Sequence, residues 1–187
     1  MEKKKLFAFY VWVLIWLVGL IILLVYTEKP PVALPPAAAE KTIEITIRKG
    51  SCLSEIAHDL GTSCEEIAKL NGINPNKIFP GQKIRVHPFN KTNIVKVSWY
   101  GPKFHGKPMA NGKTYDMNDP TVAAHKWLPL GIPVILTRID NGKNIKTTVQ
   151  DRGPYVPGRT FDLSYGAAKL LDMVDEGVTT CKVEILN

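Results

Sequence analysis

The sequence predicts a multidomain chain with an N-terminal transmembrane helix, a small βααβ unit and a mainly β barrel carrying one helix. Three observations predict it. An uncharged apolar run, LFAFYVWVLIWLVGLIILLVY, fills residues 6–26. Two segments with helical apolar spacing lie between short alternating segments in residues 41–88. From residue 94 onward, short strand-like segments separated by turn signals dominate, with one helical stretch among them.

The apolar run comes first. As a helix rising about 1.5 Å per residue it is about 30 Å long, enough to cross the hydrocarbon layer of a bilayer. Lys3, Lys4 and Lys5 precede it, whereas only Glu28 and Lys29 follow closely. The positive-inside bias therefore keeps the N-terminus cytoplasmic and places everything after residue 27 on the extracytoplasmic side. Residues 1–27 are read as an uncleaved anchor. The alternative is secretion after signal cleavage at Ala37-Ala38-Ala39, but that site lies well beyond the apolar stretch, and cleaved signals have shorter apolar cores. Residues 28–40, EKPPVALPPAAAE, hold four prolines and read as an extended stalk of roughly 40 Å.

The net charge of +7 raises the question of nucleic acid. It divides as +1 over residues 1–40, +2 over 41–88 and +4 over 89–187, and no segment interleaves basic residues with aromatics as a nucleic-acid groove requires. Nucleic acid is excluded as a partner on this ground; distributed positive charge suits an anionic wall or membrane. The three cysteines, Cys52, Cys64 and Cys181, form no CxxC pair, so no metal site is expected. The cysteines are read as unpaired small apolar residues, with a Cys52–Cys64 bridge in an oxidising compartment as the alternative, and Cys181 reads as core in a strand with Val183 and Ile185.

Residues 41–88 open with TIEITIRKG, whose alternation is a strand signal. SCLSEIAHDLG sets Leu53, Ile56, Ala57 and Leu60 at helical spacing, with Ser51 as N-cap and Gly61 as the stop. TSCEEIAKLNG repeats the design, capped by Thr62 or Ser63, with Ile67, Ala68 and Leu70 facing inward and Asn71-Gly72 ending it. A short strand at 83–86 closes a unit near the lower size limit for an independent core. Along its full length this segment resembles a LysM module, a family that binds N-acetylglucosamine-containing glycans such as peptidoglycan or chitin. The resemblance implies a shallow groove between the loops 50–53 and 74–81, with Ser51, Leu53, Asn74, Pro75 and Ile78 as substrate-binding candidates. The family often has Asp-Thr where this chain has Ser51-Cys52. The bland alternative is that Pro75, Ile78 and Pro80 only shape the turn.

Residues 89–93 are a short polar connection, and 94–187 read as the barrel. VSWYG has strand character, and PVILTRID and NIKTTVQD are consecutive strands joined by the turn Asp140-Asn141-Gly142. DLSYGAAKLLDM is one helix, with Ser164 as N-cap and Ala167, Ala168, Leu170 and Leu171 on its buried face, and CKVEILN closes the domain. Four polar stretches, SWYGPKFHGKPMANGKTYDMND, AAHKWLPLG, VQDRGP and GRTFDLS, place His105, Asp116, His125, Asp151 and Asp162 at element ends or loops, where site residues concentrate.

Together these motifs resemble the RlpA-like double-psi β-barrel, the catalytic domain of a septal lytic transglycosylase family of bacteria. SWYG, Phe104-His105-Gly106, ANG-x-x-YDM, AAHK-x-LP-x-G, DRGP and G-R-x-x-DLS recur in order over residues 97–186. The resemblance implies a six-stranded barrel and a lyase that cleaves the β-1,4 bond between N-acetylmuramic acid and N-acetylglucosamine. One carboxylic acid protonates the departing oxygen; as a carboxylate it then takes the proton of the C6 hydroxyl, which closes a 1,6-anhydro ring. This chemistry needs no cofactor. Asp162 and Asp151 are the leading acid/base candidates, and the Asp162 position is similar to an essential aspartate of expansins and MltA-type enzymes. The competing readings are helix capping for Asp162 and a turn carboxylate paired with Arg152 or Arg159 for Asp151. His125 is a candidate for orienting a carboxylate or donating to substrate, against a satisfied loop histidine. Asp116 is a candidate flanking residue, and His105 reads as surface. Trp99, Tyr100 and Tyr155 are candidates for stacking on sugars, against core packing, with Arg152 as a fourth substrate contact. The family commonly carries Glu where this chain has Lys113, a change that removes one acid and lowers the pKa of any carboxylate close by.

The expected protein is thus anchored in the bacterial cytoplasmic membrane with its domains on the periplasmic side, and peptidoglycan glycan strands are its partner. The rival is a non-catalytic or expansin-like barrel that binds and loosens the wall. A third class is a scaffold for envelope or division proteins.

Overall fold

The computed structural model describes Val13, Leu14, Trp16, Leu17 and residues 42–186. The predicted membrane helix and the stalk lie outside the described residues, apart from those four, which are helical. Among the described residues no helix is long and apolar enough to cross a membrane.

The first part is β1 (Ile43–Thr46), α1 (Leu53–Asp59), α2 (Cys64–Asn71) and β2 (Lys83–Val86), with β1 and β2 paired antiparallel from Ile43–Val86 to Thr46–Lys83. The alternation predicted for β1 buries Ile43 and Ile45, and the helical spacing of α1 buries Leu53, Ile56, Ala57 and Leu60. Ser63 caps α2 by accepting from the Glu66 amide, and Gly72 ends it in the left-handed conformation. The α1 cap differs from expectation: the N-cap is Cys52, not Ser51, and it makes no side-chain capping bond. All three cysteines are free.

The second part is a closed barrel in the order β3-β7-β4-β6-β5-β8, made of β3 (Ile94–Trp99), β4 (Val122–Ala124), β5 (Pro133–Arg138), β6 (Asn144–Asp151), β7 (Phe161–Leu163) and β8 (Val178–Ile185). β3–β7 and β4–β6 are parallel, whereas the other neighbours are antiparallel. Closure leaves no unpaired edge, and alternate residues such as Val95, Val97, Val134, Leu136, Ile145 and Val149 fill the interior. The 140–142 turn joins β5 to β6 as predicted. Two elements differ from expectation. Asp162 is not in the helix but in the three-residue strand β7; α3 spans Tyr165–Leu170, capped by the Ser164 hydroxyl accepting from the Ala167 amide. Ala167, Ala168 and Leu171 are buried, but Leu170 is 57% exposed, because at about 100° per residue it lies off the stripe those three share.

The two parts share one continuous apolar core. Phe89, in the connection, packs its ring against His125 and Phe161 of the barrel, and its amide donates to Leu60 at the end of α1. Lys91 and Thr92 both donate to the Gly61 carbonyl. A Cβ at Gly61 would stand 2.2 Å from the Thr92 oxygen, and φ there is +58°, so only glycine fits.

Candidate active site

A cleft of about 470 Å³ opens on the barrel, lined by Trp99, Tyr100, Ala124, Asp151, Arg152 and Asp162 among others. Strand register explains why both aspartates reach it. Asp162 on β7 pairs with Ala124 on β4, and on its other side with Ser98 on β3. Residues directly opposite one another in a sheet share a face, so the Ala124 face is also the Asp162 face. On the other side of β4, Ala123 pairs with Val149 of β6, but Ala124 pairs with Asp151, leaving Gln150 as the extra residue of a bulge. Without that bulge Ala124 would face Gln150; the extra residue re-aims Asp151 into the cleft. The two aspartates thus flank Ala124, two strand spacings or about 10 Å apart at Cα.

Their surroundings differ. Asp162 is largely buried, and burial pushes its carboxyl above the usual range; a hydrogen bond donated by the Ser98 hydroxyl and the charge of Arg159 pull the other way without winning. Asp151 instead holds the wall together. Its Oδ1 accepts from the backbone amides of Ala110 and Arg152, both at 2.8 Å. The segment around Ala110 belongs to a hairpin-like flap closed by the bonds Met109 N–Lys113 O and Tyr115 N–Lys107 O, and Asn111 ties the flap again to Gln150.

The predicted contacts divide in the same way. Trp99, Tyr100, Arg152 and Tyr155 all line the cleft. Tyr155 is 71% exposed and offers a free ring face, whereas Trp99 is tied by its indole N–H to the Val174 carbonyl and packs on Tyr165. Tyr100 stacks on Tyr115 with ring centroids 4.3 Å apart, and its buried hydroxyl lacks a partner among the described residues. Burial and the neighbouring acids keep that phenol protonated, so it is an available donor. Sequence reasoning missed Ser98, Lys103 and Phe104 as parts of this site; Ser98 was legible only as one letter of SWYG until the register set it beside Asp162.

Three expectations are corrected. His125 does not reach the cleft. It is one residue beyond Ala124, so strand alternation turns it inward, where it is fully buried 4.7 Å from the Phe161 ring. Its Nδ1 accepts from the Trp127 and Leu128 amides and its Nε2 donates to the Asp59 carbonyl. This fixes a neutral tautomer, and burial pushes the pKa down to about 3. Asp116 is a surface residue that lies outside the cleft lining, with its carboxylate beside His105 at 3.7 Å and its side chain capping the Asn118 amide. Leu53 is 3% exposed in the α1 core and has no face left for a glycan. Lys113 is exposed on the flap, and Arg159 rather than Lys113 supplies the cationic influence on Asp162.

Of the remaining module candidates, Ser51 is half-buried, Asn74 and Pro75 are exposed, and Ile78 packs partly against the core. The Asn74 side chain accepts from the Asn76 amide, so it also builds the turn. Phe79, 65% exposed in the same loop, was not singled out from the sequence.

Residues 92–183 match the family model described as lytic transglycolase, and residues 45–87 match the LysM domain model. A protein of Pseudomonas aeruginosa named endolytic peptidoglycan transglycosylase RlpA is 52% identical over 102 residues, which are 52% of this chain and 30% of that one. The protein of that name from Vibrio cholerae is 42% identical over 117 residues, 62% of this chain and 44% of the relative. A Synechocystis protein named probable endolytic peptidoglycan transglycosylase RlpA is 34% identical over 161 residues, covering 79% of this chain and 50% of its own length. The chain therefore spans between about a third and a half of these relatives. Residues 45–87 are a LysM domain, and residues 92–183 are an RlpA-like double-psi β-barrel domain.

Proposed function

We propose that this chain is a peptidoglycan lytic transglycosylase that cuts the β-1,4 bond between N-acetylmuramic acid and N-acetylglucosamine and leaves a 1,6-anhydro end. The observation that carries the reading is Asp162. A buried carboxyl with a raised pKa, facing an open cleft with an aromatic and cationic lining, is what a proton donor to a glycosidic oxygen requires. The names of the relatives point to the same reaction class.

In the first half of the reaction protonated Asp162 delivers its proton to the bridging oxygen as the bond to the anomeric carbon breaks. In the second half the Asp162 carboxylate takes the proton of the muramic C6 hydroxyl, and that oxygen bonds to the anomeric carbon. The carboxyl is regenerated and no water is consumed. Ser98 holds one carboxylate oxygen, leaving the group anchored at a single point. Asp151, across Ala124, supplies negative charge opposite the developing oxocarbenium while also clamping the flap. The Tyr100 hydroxyl serves as a donor to the sugar and Tyr155 as a stacking face. The LysM domain holds glycan near the barrel, and the apolar run at residues 6–26 anchors the protein in the cytoplasmic membrane with both domains on the periplasmic side.

The test is incubation of the full-length protein with peptidoglycan sacculi, followed by mass analysis of the soluble fraction. Anhydro-ended fragments that vanish with Asp162→Asn are expected. Sedimentation with the sacculi and no fragments from the unaltered protein would overturn catalysis in favour of the wall-binding, expansin-like reading.

A further inference from the structure

The LysM domain does not hang beside the barrel; one of its residues is bonded to the loop that backs the cleft. Asp59, the last residue of α1, is 5% exposed despite its charge. Its Oδ2 accepts from the Trp127 indole at 3.1 Å and pairs with the Lys126 ammonium at 3.0 Å, and its carbonyl accepts from His125 Nε2 at 3.3 Å. From the same domain Arg48 donates to the Lys126 carbonyl and lies over the Trp127 ring at 5.1 Å. Three contacts to Asp59 and two from Arg48 thus converge on the 125–128 loop, and a buried charge is retained where it is paired in this way.

The far side of that loop is the cleft. The carbonyls of His125 and Leu128 both accept from Arg152 Nη1, at 3.1 and 2.7 Å. Arg152 lines the cleft, and its own amide donates to Asp151. A continuous run of hydrogen bonds therefore leads from Asp59 through the 125–128 loop and Arg152 to Asp151. Gly61, which admits the Thr92 backbone at a distance no side chain would allow, locks the same face of the module to the barrel.

We propose that Asp59 is a positioning residue for the barrel's cleft, so that the LysM domain is part of the cutting apparatus as well as its glycan handle. The inference rests on the transglycosylase reading for its activity arm only. Without the Asp59 carboxylate the 125–128 loop loses two fixed contacts, at the Trp127 indole and the Lys126 ammonium; the loop then shifts, Arg152 loses the aligned carbonyl pair, and Asp151 moves in the cleft. Displacement of a site residue by about 1 Å costs as much as about a hundredfold in rate.

The experiment compares the full-length protein with Asp59→Ala, Trp127→Phe and Glu55→Gln. Trp127→Phe removes the indole donor and one ring of the buried bicycle while keeping an aromatic face. Glu55 also pairs with Lys126, at 3.3 Å, but from an exposed position outside the run, and serves as the control. Release of anhydro-ended fragments is measured over a range of sacculus concentrations, together with sedimentation on sacculi and amide hydrogen exchange. Asp59→Ala is expected to lower the maximal rate about ten- to a hundredfold and Trp127→Phe several-fold. The half-saturating concentration and the sedimented fraction stay within about twofold, because the glycan loops of the module are untouched. Faster exchange is expected at the amides of Leu128, Arg152 and Ala110, with the α2 amides unchanged. If the α2 amides exchange faster in Asp59→Ala, the module itself has loosened and Trp127→Phe decides. Unaltered exchange at Leu128, Arg152 and Ala110 in that variant overturns the proposal, as does an unaltered rate where the wild type is active. An inactive wild type refutes the function proposed above and leaves the exchange comparison to judge the coupling.

Discussion

Two aspartates flank Ala124 in the cleft, and they are built for opposite purposes. Asp162 sits in a three-residue strand, withdrawn from water, with one hydroxyl donor and a distant guanidinium that fail to offset its burial. Asp151 sits at the end of β6 on a bulge, where one oxygen joins two stretches of backbone. The first is held so that its carboxyl keeps its proton to a higher pH than a free aspartate does. The second is held so that the flap and the wall keep their shape. Two carboxylates on one face are distinguished by what surrounds them, not by sequence identity.

The contrast breaks most clearly at the Asp162 carboxyl. Asp162→Asn is expected to lower fragment release about a thousandfold, within the range for loss of a general acid, and to leave the fold intact. Its stability effect has the opposite sign to that of most site substitutions. Because the folded-state pKa is raised above 3.8, the native protein binds the proton more tightly than the unfolded chain. Stability therefore declines as pH rises from 3.8 through the raised value, and the neutral amide removes that decline. Thermal melting at pH 7 should give a midpoint for Asp162→Asn at or above that of the parent. A clearly lower midpoint would show that the carboxylate is structural after all.

Asp151 should behave the other way. Asp151→Ala strands the Ala110 and Arg152 amides and is expected to cost about 1–3 kcal/mol of stability, with activity falling alongside. Asp151→Asn retains an acceptor oxygen and should recover most of the melting midpoint. Equal midpoints for the two variants would remove the girder role and return Asp151 to candidacy as the acid.

His125 extends the comparison by one residue along β4. Its pKa is depressed from 6.5 to about 3 by burial, so between those values the unfolded chain carries a proton that the folded protein rejects. Its contribution to stability is complete above pH 6.5 and is lost as pH falls toward 3. Melting midpoints should drop over that window, and His125→Gln should flatten the drop. A profile indifferent to this substitution would mean that the ring is not held neutral.

How much of this was legible follows from the distance over which each feature is determined. Ser63, Gly72 and Ser164 were readable as helix boundaries because capping is settled within a few residues. The strands β4 and β7 were not, since three residues are too few to show a period and both are paired on either side. That loss decided the site. Naming Asp151 and Asp162 together required only the motifs, but separating them required knowing that Ala124 opposes both, and that a bulge displaces Gln150. The same missing register let His125 look like a cleft residue, when a shift of one position places it in the core. Leu53 failed for a simpler reason, because the helical spacing that marked it as apolar core outweighed its place beside a glycan loop.

The smallest expected effect sharpens the comparison furthest, because it adjusts Asp162 without removing it. The Ser98 hydroxyl donates to the Asp162 carboxylate and so favours its ionised form, opposing burial. Ser98→Ala takes that donor away, and the Asp162 pKa should rise further. In the proposed mechanism protonated Asp162 begins the reaction, so the alkaline limb of the rate profile should move to higher pH, by about one unit for a charge-assisted hydrogen bond of roughly 1.5 kcal/mol. The proposed second half uses the carboxylate as a base, and a more basic carboxylate would take the C6 proton more readily, so the maximal rate need not fall. In the same variant Asp151 keeps both of its amide donors, and melting attributable to the flap should not change. A limb that stays in place when Ser98 is removed would mean that the ionisation governing the rate belongs to another group, and the division of labour between the two aspartates would have to be redrawn.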